Sequence, residues 1–136
     1  MRILVADDQP KVRSALRLLL EQEPGLSVIG EAAETESLLA QAEAICPDLV
    51  LLDWELPSLQ ATGPSTPSTG AEAGSGHRLL SALRALCPCL LVIALSGRPE
   101  ARQAALAAGA DAFVSKGDPP EQLLTTLRAV GIGSTG

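Results

Sequence analysis

The amino-acid sequence predicts an α/β fold, a doubly wound sheet of five parallel strands with helices on both faces. The first observation behind this prediction is a set of five short runs rich in Leu, Ile and Val without polar alternation, which is typical of strands buried on both faces. The second is that a segment with apolar residues at helical spacing follows each run. Parallel strands need crossover connections of that kind, so the alternation itself indicates the parallel sheet.

Length and composition indicate one globular domain. The chain has 136 residues, of which 46% are hydrophobic and 19% charged, which is enough apolar material for a core. A net charge of -6 argues against a grip on nucleic-acid phosphates, so we expect no direct DNA binding by this chain. The longest apolar run, Leu90 to Leu95, is too short to span a bilayer, and no signal segment precedes Ile3. The three cysteines Cys46, Cys87 and Cys89 cannot all pair within one chain. We therefore expect no membrane anchor and a reduced, cytoplasmic protein.

The first two strand and helix units are separated by clear break signals. The first apolar run ends abruptly at Asp7-Asp8, and Pro10 can occupy the first position of a helix. Pro24-Gly25 breaks that helix, and Cys46-Pro47 ends the next one. The elements predicted here are a strand over 3–6, a helix from 10 to about 23, a strand over 26–29 and a helix with an apolar stripe over 38–45.

The remaining units follow the same pattern. The third apolar run ends at Asp53, Gly109 is a helix stop signal, and Pro119 or Pro120 can open the last helix. The elements predicted here are strands over 49–52, 90–95 and 112–114, with helices over 79–86, over 101–108 and from 119 or 120 to about 130.

One stretch interrupts the pattern. From Gln60 to Gly76, every residue except Gln60 and Glu72 is Ala, Gly, Pro, Ser or Thr, a composition with little to bury and much backbone freedom to lose. It predicts a flexible insertion, and the similar composition of 131–136 predicts a tail or the start of a linker. We expect one domain over 1–130, with the insertion at about 60–76.

Polar side chains at the ends of the strands are the candidate functional residues. In a parallel sheet the residues that follow each strand gather at one edge, where open α/β sheets bind ligands. That edge would hold five side chains: Asp7, Asp8, Asp53, Ser96 and Lys116.

Clustered carboxylates at this edge predict a magnesium site. Mg²⁺ prefers oxygen ligands and typically uses one or two carboxylates together with water and phosphate oxygens. We expect Asp8 and Asp53 to be direct ligands, Asp7 to act through water, and Glu55 to offer its backbone carbonyl.

The same edge can accept a phosphoryl group. Once a metal and a cation neutralise its charge, the Asp53 carboxylate is a competent nucleophile that forms an aspartyl phosphate. Lys116 would be that cation. The Ser96 hydroxyl could then donate to a phosphoryl oxygen and distinguish the two states.

Four runs in this order resemble the receiver domains of bacterial two-component response regulators, and the local sequence resembles the LuxR/NarL type. They are Ile3 to Pro10, Pro47 to Pro57, Leu95 to Gly97, and Gly109 to Lys116. The resemblance implies a flavodoxin-like sheet with strand order 2-1-3-4-5. It also implies Mg²⁺ bound by Asp7, Asp8 and Asp53, phosphotransfer from a sensor histidine kinase to Asp53, and an aromatic switch at Phe113.

The implied partners extend beyond this chain. Regulators of this type continue into a helix-turn-helix domain that binds DNA and is absent here, so the implied output is transcription. A homodimer is also implied, and Asp53 is implied to be a phosphoacceptor in a switch, with at most self-catalysed transfer and dephosphorylation. Two departures from the family pattern are the insertion and an acidic residue at Glu55.

Plainer interpretations remain open for the same residues. Asp7-Asp8 could cap a helix, Lys116 could be a solvated lysine, and Phe113 could be ordinary core. His77 has no second nitrogen or thiol nearby, and Cys87 and Cys89 are interpreted as packing groups without a redox role. The alternative functions are a phosphorylation-independent interaction module with this fold and a haloacid-dehalogenase-type phosphatase.

Overall fold

The described chain alternates strands and helices. The computed structural model describes residues 1–54, 74–98 and 100–135. No helix in these ranges is long and apolar enough to cross a membrane. The elements are β1 Arg2–Ala6, α1 Pro10–Glu21, β2 Ser27–Ala32, α2 Thr35–Ile45, β3 Leu49–Asp53, α3 Gly74–Leu86, β4 Leu91–Ser96, α4 Ala101–Ala108, β5 Ala112–Ser115 and α5 Pro120–Thr135.

The strands form one parallel sheet in the order β2-β1-β3-β4-β5, so the expected fold class and strand order are confirmed. In its register, Ala6 lies opposite Leu52, Asp53 opposite Leu95, and Ser96 opposite Ser115. Since all strands point the same way, their carboxyl ends line one edge of the sheet.

Both faces of the sheet are covered, which explains the unbroken apolar runs. Every residue of β3 is buried, and alternate residues of this strand feed two separate core clusters. Val50 and Leu52 pack with residues of α2, α3 and α4, whereas Leu49 and Leu51 pack with residues of α1 and α5. Each fully buried Leu stabilises the fold by about 1.5–3 kcal/mol relative to an exposed one.

Two helices end in a left-handed residue. Gly109 closes α4 with φ 120°, as its sequence predicts. Cys46 closes α2 with φ 51°, a conformation in which glycine is the usual residue. The Cys46 amide donates to the carbonyl of Ala42 at 2.7 Å, which completes the last turn of the helix.

The largest differences from the predicted element boundaries are found at three elements. Strand β2 continues to Ala32 because it pairs with β1 up to Ala6, and this edge pairing tolerates polar residues. Helix α3 begins at Gly74 and so takes in the last residues of the expected insertion, because its buried Leu79, Leu80 and Leu83 support a longer helix. Helix α5 continues to Thr135 instead of ending near residue 130, since no proline interrupts 131–135.

Two distant cysteines meet at the ends of α2 and α3. The Sγ atoms of Cys46 and Cys87 are paired as a disulfide, with Cα atoms 5.7 Å apart and a sequence separation of 41. Cys87 is buried, and Cys89 is exposed. The interpretation as packing groups therefore fits Cys87 alone, and the expectation of a fully reduced chain is wrong for this structure. Both predictions missed the pair because spacing does not reveal which distant cysteines meet.

Candidate phosphoacceptor and metal site

Three carboxylates meet at the carboxyl edge of the sheet. Asp7 directly follows β1 and Asp53 ends β3, and both are buried, whereas Asp8 is exposed. One oxygen from each of the three lies within 4.8 Å of the others. The expected convergence of these residues is therefore present, and in the described ranges this trio is the only group of three or more acidic, His or Cys residues that could hold a metal.

Asp7 is fixed on three sides. Its backbone amide donates to the carbonyl of Ala32 at 2.9 Å. Its Oδ1 accepts from the amide of Gln9 at 2.8 Å, and its Oδ2 accepts from Nζ of Lys116 at 3.3 Å. The residue at the helix cap is Gln9, without a side-chain cap bond, so Asp7 holds the turn before α1 and does not cap the helix itself.

Lys116 bridges two of the carboxylates. Its Nζ lies 3.0 Å from Oδ1 of Asp53 and 3.3 Å from Oδ2 of Asp7, and its side chain keeps 25% of its surface exposed. Burial lowers the pKa of Lys116, but the hydrogen bond and charge of Asp53, together with Asp7, outweigh burial and raise it. The solvated-lysine interpretation is therefore wrong.

Ser96 is held beside Asp53 by the sheet. The Trp54 amide donates to the carbonyl of Leu95 at 2.7 Å, so the chain just after Asp53 is bonded to the residue before Ser96. Ser96 is fully buried, and its Oγ accepts from the Arg98 amide at 3.0 Å. Its carbonyl accepts from the Lys116 amide at 2.8 Å, which ties the ends of β4 and β5 together.

Phe113 is less closely tied to the site. It lies opposite Ala94 in the register of β4 and β5 and is half-buried against the core cluster on the α2, α3 and α4 face. Trp54, which follows Asp53, is buried in the same cluster, so a fluorophore adjoins the carboxylates.

The donor set suits a hard divalent cation. Three carboxylates and one ammonium leave two negative charges if all four groups are ionised, and two of the carboxylates are shielded from water. Close carboxylates repel one another, and a divalent ion with oxygen ligands relieves that repulsion.

Residues 3–128 match the family described as response regulator receiver domain. The chain belongs to this family. It is 32% identical over 133 residues to the nitrate/nitrite response regulator protein NarL of Escherichia coli, an alignment that covers 96% of this chain and 55% of NarL. The receiver domain thus spans about half the length of this relative.

Solved structures agree with this assignment. The receiver domain superposes on a LuxR-family two-component response regulator from an Aurantimonas species with a TM-score of 0.78 at 26% identity, covering 97% of this chain and 85% of that one. A CheY-like receiver domain protein from Methanospirillum hungatei gives a TM-score of 0.76 at 27% identity, covering 98% and 95%. The LuxR/NarL-like resemblance is confirmed.

Sequence reasoning missed one residue of the receiver domain's site. Arg13 on α1 donates through Nη1 to the backbone carbonyl of Asp7 at 2.6 Å, and its Nε lies 3.2 Å from Oε1 of Glu31 on β2. Helical spacing does not reveal a contact that reaches back over the turn. The available signal was a basic residue early in the helix that follows an acidic pair.

Two other predicted residues have different outcomes. Glu55, expected to offer a backbone carbonyl to the metal, lies outside the described residues. His77 is exposed on α3 and belongs to no candidate metal group in the described ranges of the receiver domain.

Proposed function

We propose that this receiver domain accepts a phosphoryl group on Asp53 from a phosphohistidine of a sensor histidine kinase, in a reaction that needs Mg²⁺. The observation that carries this proposal is the ammonium of Lys116, 3.0 Å from Asp53 and 3.3 Å from Asp7. A nucleophilic carboxylate needs its charge offset before a phosphoryl donor can approach, and this contact supplies part of that offset.

The carboxylates have two roles, metal binding and nucleophilic attack. Mg²⁺ would be held by Asp7, Asp8 and Asp53, with the carbonyl of Glu55 as a further ligand. The bound ion would neutralise negative charge on the transferring phosphoryl group. One oxygen of Asp53 forms the new bond to phosphorus as the bond between phosphorus and the histidine nitrogen breaks, and the neutral imidazole leaves with a proton from solvent.

Lys116 and Ser96 would then hold the product. Lys116 stays beside the phosphorylated carboxylate and pairs with a phosphoryl oxygen. The Ser96 hydroxyl donates to another, which its place on β4 beside Asp53 supports. Because the Lys116 amide bonds the Ser96 carbonyl, movement at Ser96 is passed to β5, where Phe113 changes its packing.

Response regulator receiver domains are signalling switches, generally not enzymes. We propose that this one also follows that pattern, works in the cytoplasm, and controls transcription through a DNA-binding segment outside this chain. The net charge of -6 disfavours contact between this chain and DNA phosphates. DNA would instead be bound by that other segment, alone or within a homodimer.

The decisive experiment is intact mass after incubation with acetyl phosphate, with and without Mg²⁺. We expect one phosphoryl adduct that requires Mg²⁺, is lost on chelation, and is absent from Asp53→Asn. Asp48→Asn is the matched control, because Asp48 is an exposed carboxylate before β3 that pairs with Arg2.

An adduct that persists in Asp53→Asn would assign the phosphoryl group elsewhere. No adduct in the wild-type chain, from either acetyl phosphate or a phosphorylated histidine kinase, would overturn the proposal. The phosphorylation-independent interaction module would then be the better interpretation.

A further inference from the structure

The cysteine pair lies at the opposite edge of the sheet from the carboxylates. Cys46 follows α2 and precedes β3, and Cys87 follows α3 and precedes β4. Both strands run from this edge toward Asp53 and Ser96. The 5.7 Å between the two Cα atoms is within the range of about 4.4–6.8 Å that a disulfide spans.

The protein fold holds both cysteines in place without help from a sulfur–sulfur bond. The Cys46 amide donates to Ala42, and Nη2 of Arg2 donates to the Cys46 carbonyl at 2.8 Å. The Cys87 amide donates to Leu83 at 2.8 Å, and its side chain is part of the core. The two thiols therefore stay within reach when reduced, and bond formation needs no refolding.

The backbone conformation of Cys46 is one that favours glycine, so the presence of a cysteine there needs another explanation. With φ 51° and ψ 69°, it occupies a left-handed position where glycine carries no steric penalty. The residue is also exposed, so core packing does not account for a side chain there. The feature that a cysteine adds at this strained position is its contact with Cys87.

We propose that Cys46 and Cys87 form a reversible disulfide site that responds to hydroperoxides. The exposed Cys46 thiolate attacks a peroxide oxygen; the sulfur–oxygen bond forms, the oxygen–oxygen bond breaks, and hydroxide leaves. The Cys87 sulfur then attacks the Cys46 sulfenic acid; the disulfide forms and water leaves with the Cys87 proton. Two thiols are oxidised by two electrons and the peroxide is reduced. A dithiol reductant reverses the change.

The disulfide joins α2 to α3 and closes a loop across the 41-residue separation, which contains the Gly-, Ser- and Pro-rich stretch. Closing a long loop restricts the unfolded chain, so the oxidised protein resists unfolding more than the reduced one. This site does not rest on the proposed phosphotransfer, since it uses none of the same residues.

The test starts from fully reduced protein, treated with hydrogen peroxide and then with iodoacetamide. We expect the mass of a chain that has lost two hydrogen atoms and carries one alkyl group, on Cys89. Peptide mapping should join the Cys46 and Cys87 peptides, and the crosslinked form should melt on the order of 10 °C higher than the reduced form.

Two variants make the result specific. Cys46→Gly keeps the left-handed turn, so under reducing conditions it should unfold at the wild-type temperature or above, yet it should form no internal disulfide. Cys89→Ser should form the disulfide as the wild type does, and so should Asp53→Asn.

Two results would overturn the proposal. One is a wild-type chain in which peroxide leaves all three thiols open to alkylation or gives only oxygen adducts. The other is an internal disulfide that still forms in Cys46→Gly, which would assign the bond to Cys87 and Cys89.

Discussion

Asp7 makes several contacts through its short side chain and its backbone carbonyl. Oδ1 holds the turn into α1 through Gln9, Oδ2 receives Lys116, and the backbone carbonyl receives Arg13. A substitution at Asp7 would disturb the turn, the ion pair and the proposed metal site together. The role of the turn in metal binding is better tested at a residue that bonds to the backbone of Asp7 and leaves the Asp7 carboxylate unchanged.

Arg13 is that residue. Arg13→Ala removes the 2.6 Å bond to the Asp7 carbonyl and frees the turn that carries two of the three carboxylates. We expect Mg²⁺ binding, followed through the fluorescence of Trp54, to weaken by about 10-fold, as is usual when a group that orients a metal ligand is lost.

Arg17→Ala is the matched control for Arg13. Arg17 pairs with the same Glu31, at 2.8 Å, and with Glu21 on its own helix, whereas the bond to the Asp7 carbonyl comes from Arg13. The hydrogen bond from Arg17 lowers the pKa of Glu31, and the bond from Arg13 lowers it further, while burial raises it. Each variant therefore removes one of the two arginines that bond to Glu31. Equal Mg²⁺ affinities in the two variants would show that the Asp7 contact does not matter.

At the scale of elements, the two left-handed helix ends are used differently. Gly109 ends α4 with a residue suited to φ 120°, and its amide bonds back to Leu106 at 3.1 Å. The turn then places Asp111, whose carboxylate accepts from the Val92 amide at 2.8 Å and from Arg84 at 2.6 Å. The end of α4 thus sets where β5 joins the sheet.

Gly109→Ala should therefore destabilise the fold. A Cβ at this position meets no atom closer than 3.6 Å, so the penalty comes from the backbone conformation and not from a clash. We expect the free energy of unfolding in urea to fall by about 1–2 kcal/mol.

Gly117→Ala is the comparison for that measurement. Gly117 does not have a left-handed φ, and its added Cβ would lie 3.8 Å from the nearest atom. Its unfolding free energy should change by less than that of Gly109→Ala. An equal loss in both variants would contradict the conformational explanation.

At the scale of the whole molecule, Lys116 ties three strands together. It follows β5 and bonds to Asp7 after β1 and to Asp53 at the end of β3. Although burial lowers its pKa, the two carboxylates raise it above the ordinary 10.5. A group whose folded pKa is raised stabilises the fold fully below its unfolded pKa, and loses that contribution as the pH rises through the folded value.

Lys116→Met should thus lower the unfolding free energy by about 1–2 kcal/mol near neutral pH, between the values typical of exposed and buried pairs. The difference from wild type should stay constant from about pH 8 to 10 and shrink above about pH 10.5, as measured by urea unfolding. Lys11→Met, at an exposed lysine of α1, is the control. A difference that grows with alkaline pH would contradict this interpretation.

The features that the sequence predicted well are those that follow from a residue's position within a strand. Leu51 lies in an unbroken apolar run because it is buried in a sheet covered on both faces, and Asp53 and Lys116 meet because parallel strands end at one edge. Glu31 was missed as strand because edge pairing tolerates polar residues. The contacts of Arg13 and of Cys46 with Cys87 join distant positions, and no local pattern carries that information.

The order of the strands also constrains how the chain can fold as it is synthesised. The first strand made, β1, lies inside the sheet, and one of its faces is completed by Leu123 and Leu127 of the last helix. Arg128 of that helix pairs with Glu23, just after α1, at 2.6 Å. A chain emerging from the ribosome can close the α2, α3 and α4 side first, while on the other side Ile3 and Val5 are covered by α1 alone and stay partly open to water until α5 arrives.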